Sequence, residues 1–163
     1  ADATPESLLA EWSQKDFDDD PYRLVAIALG NDDEHRSKNL WHFDTECIED
    51  QGDYIRLADK MQSLAGDDLP MTEVEDYVDF ETGEAWLSFK LDGVEHRWTC
   101  EVQDDWVDPT VLSRFADLLH QRKTGRRFTY LDLGGQDCLL GCFTEAELER
   151  LRTVTGLNWE WLD

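Results

Sequence analysis

The sequence lacks any apolar run long enough to cross a membrane, and it has few basic residues. Its longest apolar candidate, residues 24–29, is far shorter than the roughly 18 residues that a spanning helix needs. Only 15 of the 163 residues are Lys or Arg, against 38 Asp or Glu, so the formal net charge is −23 at pH 7. Nucleic acid and anionic membrane surfaces carry the same sign of charge. We therefore expect neither as a partner.

Cysteine is also sparse. The four cysteines, Cys47, Cys100, Cys138 and Cys142, form no CxxC pair and are too few for a disulfide scaffold. The sequence, which starts at Ala1, contains no basic stretch followed by an apolar one of the kind that marks a signal peptide. Free buried thiols and a cytoplasmic location are expected, and removal of a leader before Ala1 is left open.

Familiar catalytic and metal-binding motifs are missing as well. There is no GxSxG elbow, no Walker loop and no HExxH pair. Each of the four histidines, His35, His42, His96 and His120, lacks a His or Cys at ligand spacing. The prediction is therefore that the protein is not an enzyme and has no catalytic residues, cofactor or metal site.

What the sequence does contain is enough apolar residues for a core. Hydrophobic residues make up 40% of the chain, and seven of them are Trp, which argues against wholesale disorder. A chain of this length can bury about 70% of its unfolded surface. One folded domain over residues 1–163 is expected.

The first third of the chain is ambiguous. Thr4 and Pro5 are typical of a helix start, with Trp12 on the apolar face of that helix. Residues 16–20 are predicted to end it as an acidic loop. Residues 22–29 form an apolar stretch that fits either a buried strand or a helix, because length does not decide between them. Residues 40–43 alternate weakly and indicate a short strand.

The rest of the chain gives clearer signals. Amphipathic periodicity predicts a helix over residues 53–64. Three alternating segments joined by turns at 81–84 and Asp92-Gly93 predict an antiparallel meander over residues 74–102. A helix starts at Asp108-Pro109, strands follow at 128–133 and 138–143, and Thr144 opens a capping-box helix before a terminal strand at 157–162. These elements predict an α+β fold with a mainly antiparallel sheet and about four helices.

The negative charge is unevenly distributed. Residues 1–108 hold 30 acidic and 8 basic side chains, whereas residues 109–163 hold 8 and 7. A salt-adapted protein would carry acid over most of its surface, so this asymmetry argues against that class. It favours a face built to meet a positively charged partner. The alternative is that the acid serves solubility alone.

The segment 101–108 is the strongest candidate for such a face. It places Asp104, Asp105 and Asp108 around Trp106, and an aromatic anchor among polar groups is typical of a binding hot spot. The alternative is structural, with Trp106 covering a helix end and the aspartates capping that helix. A second acidic group, Asp18, Asp19 and Asp20, is also predicted to contact the partner.

Two carboxylate arrangements raise a further hypothesis. Asp44 and Glu46 would share one face of a strand, and close carboxylates can split their pKa values for acid–base chemistry. Residues 16–20 lack the spacing and central Gly of a calcium loop. A metal-assisted carboxylate enzyme is thus an alternative function, although no nucleophile or cofactor loop completes the site.

With a single α+β domain, Trp-rich strands between Trp86 and Trp98, the loop Asp104-Asp105-Trp106 and no catalytic motif, the chain resembles the small acidic immunity proteins of bacterial polymorphic toxin systems. That resemblance implies a stoichiometric inhibitor of a cognate toxin domain, and a basic toxin would offer it complementary charge. A DNA mimic or regulatory acidic protein, which would bind several unrelated DNA-binding proteins, is the other alternative.

Overall fold

The fold is described from a computed structural model that covers residues 12–31 and 37–163. Its elements are α1 (Gln14–Asp19), α2 (Pro21–Gly30), β1 (Leu40–Asp44), α3 (Asp53–Ala65), β2 (Met71–Asp79), β3 (Glu84–Leu91), β4 (Val94–Cys100), α4 (Pro109–Arg122), β5 (Arg126–Gly134), β6 (Asp137–Thr144), α5 (Glu145–Thr155) and β7 (Glu160–Trp161). A 3₁₀ turn, Gly66–Asp68, follows α3. These five helices and seven strands of the described chain form one α+β domain, as predicted.

The strands form two antiparallel sheets rather than one. The meander predicted from the sequence is a three-stranded sheet in the order β2-β3-β4, and Asp92-Gly93 joins β3 to β4 with positive φ at both residues, as a type I′ turn requires. The second sheet has the order β1-β6-β5-β7. Strand β1 pairs with β6 about 100 residues later, so that Trp41 lies opposite Leu140.

The four-stranded sheet is buried on both faces, so the core has two parts, one on each side of this sheet. One face packs against α3, α4 and the inner face of the three-stranded sheet, through Phe43, Leu57, Met61, Leu87, Phe89, Phe115, Phe128 and Leu140. The opposite face packs against α2, α5 and the terminal segment, through Ala26, Leu131, Leu139, Leu148 and Trp159. Every side chain in both groups is at least 93% buried. The three-stranded sheet therefore keeps an outer face that no described element covers.

The predicted acidic loop at residues 16–20 is wrong. Residues 14–19 form α1, because the Ser13 hydroxyl accepts the Asp16 N–H at 3.2 Å and so caps the helix. Asp20 then caps α2, with Pro21 in the first turn. Residues 22–29, for which the sequence left strand and helix open, are therefore helical. The helix predicted to begin at Thr4 falls on residues outside the described part of the chain.

A buried carboxylate on β2 holds α3 in place. Asp76 is 3% exposed and accepts backbone N–H groups from Gly52 at 2.8 Å, Tyr54 at 3.0 Å and Ile55 at 3.3 Å. Gly52, the N-cap of α3, has no side chain to do this. The three-stranded sheet therefore supplies the cap that the helix sequence lacks, which explains why an Asp occupies the inward face of β2.

Candidate protein-binding site at Trp106

Residues 103–106 form a tight turn at the start of the connection between β4 and α4. The Trp106 N–H donates to the Gln103 carbonyl oxygen at 3.0 Å. Asp104, at the tip of the turn, has a φ of 48°, a left-handed conformation that Asp tolerates better than most residues. The turn therefore exposes the Asp104 carboxylate and directs the chain back along itself at Trp106.

A second segment of the chain fixes this turn. The Val107 N–H donates to the Thr45 carbonyl and the Ile48 N–H to the Asp105 carbonyl, both at 2.9 Å. Glu46 and Trp106 pair as an antiparallel bridge, which places their side chains on the same face about 5 Å apart at Cβ. The two segments form a short ribbon, so backbone hydrogen bonds determine the position of Trp106.

The ribbon is anchored to the turn between β5 and β6. The Thr45 backbone N–H and hydroxyl both donate to the Gln136 carbonyl, at 3.0 and 2.7 Å. The Gln136 side-chain amide donates to Asp44 at 3.1 Å, and Asp44 also accepts the Glu46 N–H at 2.9 Å. Asp44 therefore organises the ribbon. Strand β1 ends at Asp44 and the chain bends at Thr45, so Asp44 and Glu46 do not share a strand face as predicted.

Asp108 does not belong to the exposed site. It is 5% exposed, and its two carboxylate oxygens accept the N–H groups of Thr110 and Glu101, each at 2.8 Å. Its own N–H donates to the Tyr54 hydroxyl at 3.3 Å. Asp108 is thus the N-cap of α4, as the structural alternative predicted, and its buried carboxylate does not belong to an exposed binding surface.

The exposed side of the ribbon combines one aromatic ring with several carboxylates. Trp106 is 40% exposed, and it is the only Trp among the exposed large apolar residues. The carboxylates along the ribbon and the loop that follows it are Asp44, Glu46, Glu49, Asp50, Asp104 and Asp105. None of these six is in a salt bridge with a Lys or Arg of residues 12–31 or 37–163. We name Asp44, Glu46, Asp104, Asp105 and Trp106 the Trp106 patch.

One basic residue lies beside the patch and is already engaged. Arg56 is 3.6 Å from Asp53 and donates to the Cys47 carbonyl at 3.4 Å. Its charge therefore compensates Asp53, which in turn accepts the N–H groups of Glu49 and Asp50. The Trp106 patch keeps a net negative charge.

The second predicted group, Asp18, Asp19 and Asp20, lies on the two N-terminal helices. Asp18 and Asp19 are exposed at the end of α1, whereas Asp20 is half-buried as the cap of α2. Hydrogen bonds connect this region to the β5–β6 hairpin, because Arg23 donates to the Leu133 carbonyl. Both acidic groups are therefore tied to one hairpin, but no hydrogen bond between described residues joins them directly.

The outer face of the three-stranded sheet carries a cluster that sequence reasoning missed. Tyr77 stacks on Trp86 with ring centroids 6.1 Å apart, and the Arg97 guanidinium lies 3.6 Å from the Trp86 ring centroid. Trp86 lies on this face because its neighbours in β3, Ala85 and Leu87, point into the core. The arginine partner had no local signal, because Arg97 reaches Trp86 only through the pairing of β3 with β4.

The thiols and the hollow beside the patch show no reactive arrangement. Burial raises the pKa of Cys47, Cys100 and Cys142 to about 11 and that of Cys138 to about 12, and all four thiols are free. A hollow of about 170 Å³, lined partly by Asp44, Cys47 and Arg56, is smaller than the roughly 300 Å³ of ordinary ligand pockets. In the part of the chain that the structure describes, no three His, Cys, Asp or Glu side chains are placed to hold a metal ion.

Comparisons with known proteins return no match. Neither a protein-family model, nor a curated protein, nor a solved structure matches this chain. Among the described residues, no helix has the length and apolar character needed to span a membrane. The geometry of the Trp106 patch and the charge around it are therefore the features of this chain that point to a function.

Proposed function

We propose that this protein is an immunity protein, which binds a cognate bacterial toxin domain through the Trp106 patch and neutralises it. The observation that supports this proposal is an exposed Trp held on a hydrogen-bonded ribbon among carboxylates that have no basic partner in the described chain. The partner surface is basic, and the protein acts by covering it rather than by catalysis.

The charge of the chain supports a positively charged partner. Residues 1–108 carry 30 acidic and only 8 basic side chains, and the patch lies within this part. Such an imbalance raises the rate of encounter with an oppositely charged protein and weakens as salt screens the charges beyond about 8 Å. A basic nuclease toxin fits this surface, because its nucleic-acid site has the opposite potential.

The rigidity of the ribbon supports tight binding. Ordering a flexible loop on association costs free energy, and a loop that already has its bound shape avoids that cost. Trp is enriched among the few residues that dominate binding energy, and truncating one commonly costs about 2 kcal/mol or more. Trp106 on its hydrogen-bonded turn combines both properties.

The test uses the full chain and a toxin domain encoded beside its gene, and a gene neighbourhood that holds no toxin would itself contradict the proposal. We expect co-expression to rescue growth, and we expect the association rate to fall at least tenfold between about 20 and 300 mM NaCl. Asp104→Asn with Asp105→Asn slows association, whereas Trp106→Ala mainly speeds dissociation. The matched control, Asp59→Asn with Asp117→Asn, removes two exposed charges outside the patch and changes the association rate less.

Two further results would contradict the proposal. If rescue persists and binding is unchanged in the Trp106→Ala and the Asp104, Asp105 variants, the patch is not the binding surface. If the protein instead captures several unrelated DNA-binding proteins from a lysate and has no effect on the neighbouring toxin, it acts as a DNA mimic. A variant with Asp18→Asn and Asp19→Asn measures the contribution of the second acidic group.

A further inference from the structure

The tryptophans of this protein differ in what covers their rings. Trp41 and Trp159 are buried. Three others each hold an arginine of the same chain over the ring: Arg97 lies 3.6 Å from the Trp86 centroid, Arg127 lies 4.6 Å from that of Trp161, and Arg114 lies 5.8 Å from that of Trp98. These distances fall within the roughly 6 Å over which a cation is attracted to an aromatic ring.

Trp106 differs from these five tryptophans, and it is more exposed than the seventh, Trp12, which is half-buried. Trp106 is 40% exposed, yet no aromatic ring and no cation of the described residues lies over its ring. Its cross-strand neighbour is Glu46, and Asp104 and Asp105 precede it in the turn. The ring is therefore open to solvent and bordered by carboxylates on two sides.

We propose that the Trp106 patch recognises an arginine side chain of the partner protein. This inference depends on the proposed function and names the chemistry by which the partner is bound. The guanidinium lies over the Trp106 ring, as the Arg97 guanidinium lies 3.6 Å from the Trp86 centroid in the same molecule, and its N–H groups donate hydrogen bonds to Glu46 or Asp104. An aromatic ring with a carboxylate beside it therefore suits both the positively charged face of the guanidinium and its N–H donors.

Arginine fits the site better than lysine for a physical reason. The guanidinium is planar and weakly hydrated, so it can stack on a ring while its N–H groups stay directed at carboxylates. The lysine ammonium is compact and strongly hydrated, and it loses more hydration when it approaches a ring. All three cation–ring contacts between described residues use arginine, although the chain also has lysines.

The test compares hexa-arginine with hexa-lysine, which carry the same charge. Each peptide is titrated into the full-length protein at low salt, and the indole N–H signals are followed by NMR with ¹⁵N-labelled Trp. We expect hexa-arginine to bind about threefold more tightly than hexa-lysine, in line with an exposed cation–ring contact. The indole signal lost in Trp106→Leu should shift most, and that variant should bind both peptides equally.

The controls separate this inference from the proposed function. Trp86→Leu, at a ring already covered by Arg97, should keep the threefold preference. Equal affinity for the two peptides in the unmodified protein, or a preference that survives Trp106→Leu, would overturn the arginine site while leaving toxin neutralisation intact. A Trp106-dependent preference in a protein that does not protect against the neighbouring toxin would instead refute the proposed function alone.

Discussion

The Asp76 carboxylate shows how one buried charge can connect two parts of this fold. It is 3% exposed and receives backbone hydrogen bonds from Gly52, Tyr54 and Ile55. Those N–H groups are at the positive end of the α3 dipole, where a negative charge is stabilising. The same interaction positions the start of α3 close to the ribbon that carries Trp106.

Replacing this carboxylate should destabilise the whole domain. We expect Asp76→Ala to lower the free energy of unfolding by about 3 kcal/mol, because several buried N–H groups lose a charged acceptor. The measurement is urea denaturation followed by circular dichroism. Glu75→Gln, at the exposed neighbouring position of β2, is the control and should change stability little. Equal midpoints for the two variants would refute the capping role.

The four thiols should make the protein less stable at alkaline pH. Burial raises the pKa of each thiol above its ordinary value of 9.0, to about 11 or 12. Well below pH 9 both folded and unfolded thiols are protonated, so the thiols do not change the free energy of unfolding there. Between about pH 9 and 11 the unfolded chain loses protons that the folded protein keeps, and the free energy of unfolding therefore falls as pH rises.

Each thiol should contribute up to about 1.4 kcal/mol per pH unit to this decline. Urea denaturation at pH 8.0, 9.5 and 10.5 measures it. Cys47→Ser should remove about one thiol's share of the slope, since serine does not ionise in this range. A slope that is unchanged by the substitution would mean that Cys47 ionises as easily in the folded protein as in the unfolded chain.

Helix α2 is the element that the local sequence predicted least well. Its start, Asp20-Pro21, has the same cap and first-turn proline as Asp108-Pro109, which did predict α4. The apolar run at residues 22–29 obscured this signal, because α2 packs on β1 and β6 of the four-stranded sheet and so has an apolar face like that of a buried strand. At its other end Gly30 lies against β1, where an added Cβ would come within 2.7 Å of the His42 backbone nitrogen.

This close approach gives a test, because helix propensity and steric overlap predict opposite signs for the change in stability when Gly30 is replaced. In an exposed helix, replacing Gly by Ala stabilises by about 1 kcal/mol. For Gly30→Ala we expect destabilisation by about 1–3 kcal/mol, because the added methyl group meets the backbone of β1 and the Leu139 side chain. Thermal unfolding followed by circular dichroism measures the difference. A raised melting temperature would contradict the packing of α2 on β1.

At the level of the entire protein, charge repulsion opposes folding. A formal charge of −23 on 163 residues destabilises the compact state, and salt screens that repulsion. The salt bridges between described residues involve seven acidic partners, so most carboxylates of the described residues have no salt bridge among them. Stability should therefore depend on ionic strength as well as on packing.

We expect the urea midpoint to rise when NaCl is increased from about 20 to 500 mM. Asp18→Asn with Asp19→Asn should raise the low-salt midpoint and reduce its salt dependence, because these exposed carboxylates lie at the C-terminal end of α1, where negative charge is also unfavourable to the helix dipole. The measurement is denaturation at both salt concentrations. A midpoint that falls with salt would show that attractive ion pairs outweigh the repulsion.

Local signals were sufficient for most elements. Asp92-Gly93, the Thr144 capping box and Asp108-Pro109 each contain their full signal within four residues, and each appears where it was predicted. The candidate site was less predictable. Asp104, Asp105 and Asp108 are equivalent as acidic residues near Trp106, but Asp108 is buried while Asp104 is exposed.

Composition and short-range order thus established an acidic α+β protein, its strand and helix segments, and a Trp among carboxylates. Burial and partners depend on segments far apart in the chain, and these emerged only from the packed fold. Segment 45–48 fixes Trp106 from about 60 residues away, and Arg97 covers Trp86 across a strand pair. Because local periodicity contains no information about such long-range contacts, the sequence could not show that Trp86 is covered by Arg97 while the Trp106 ring stays exposed.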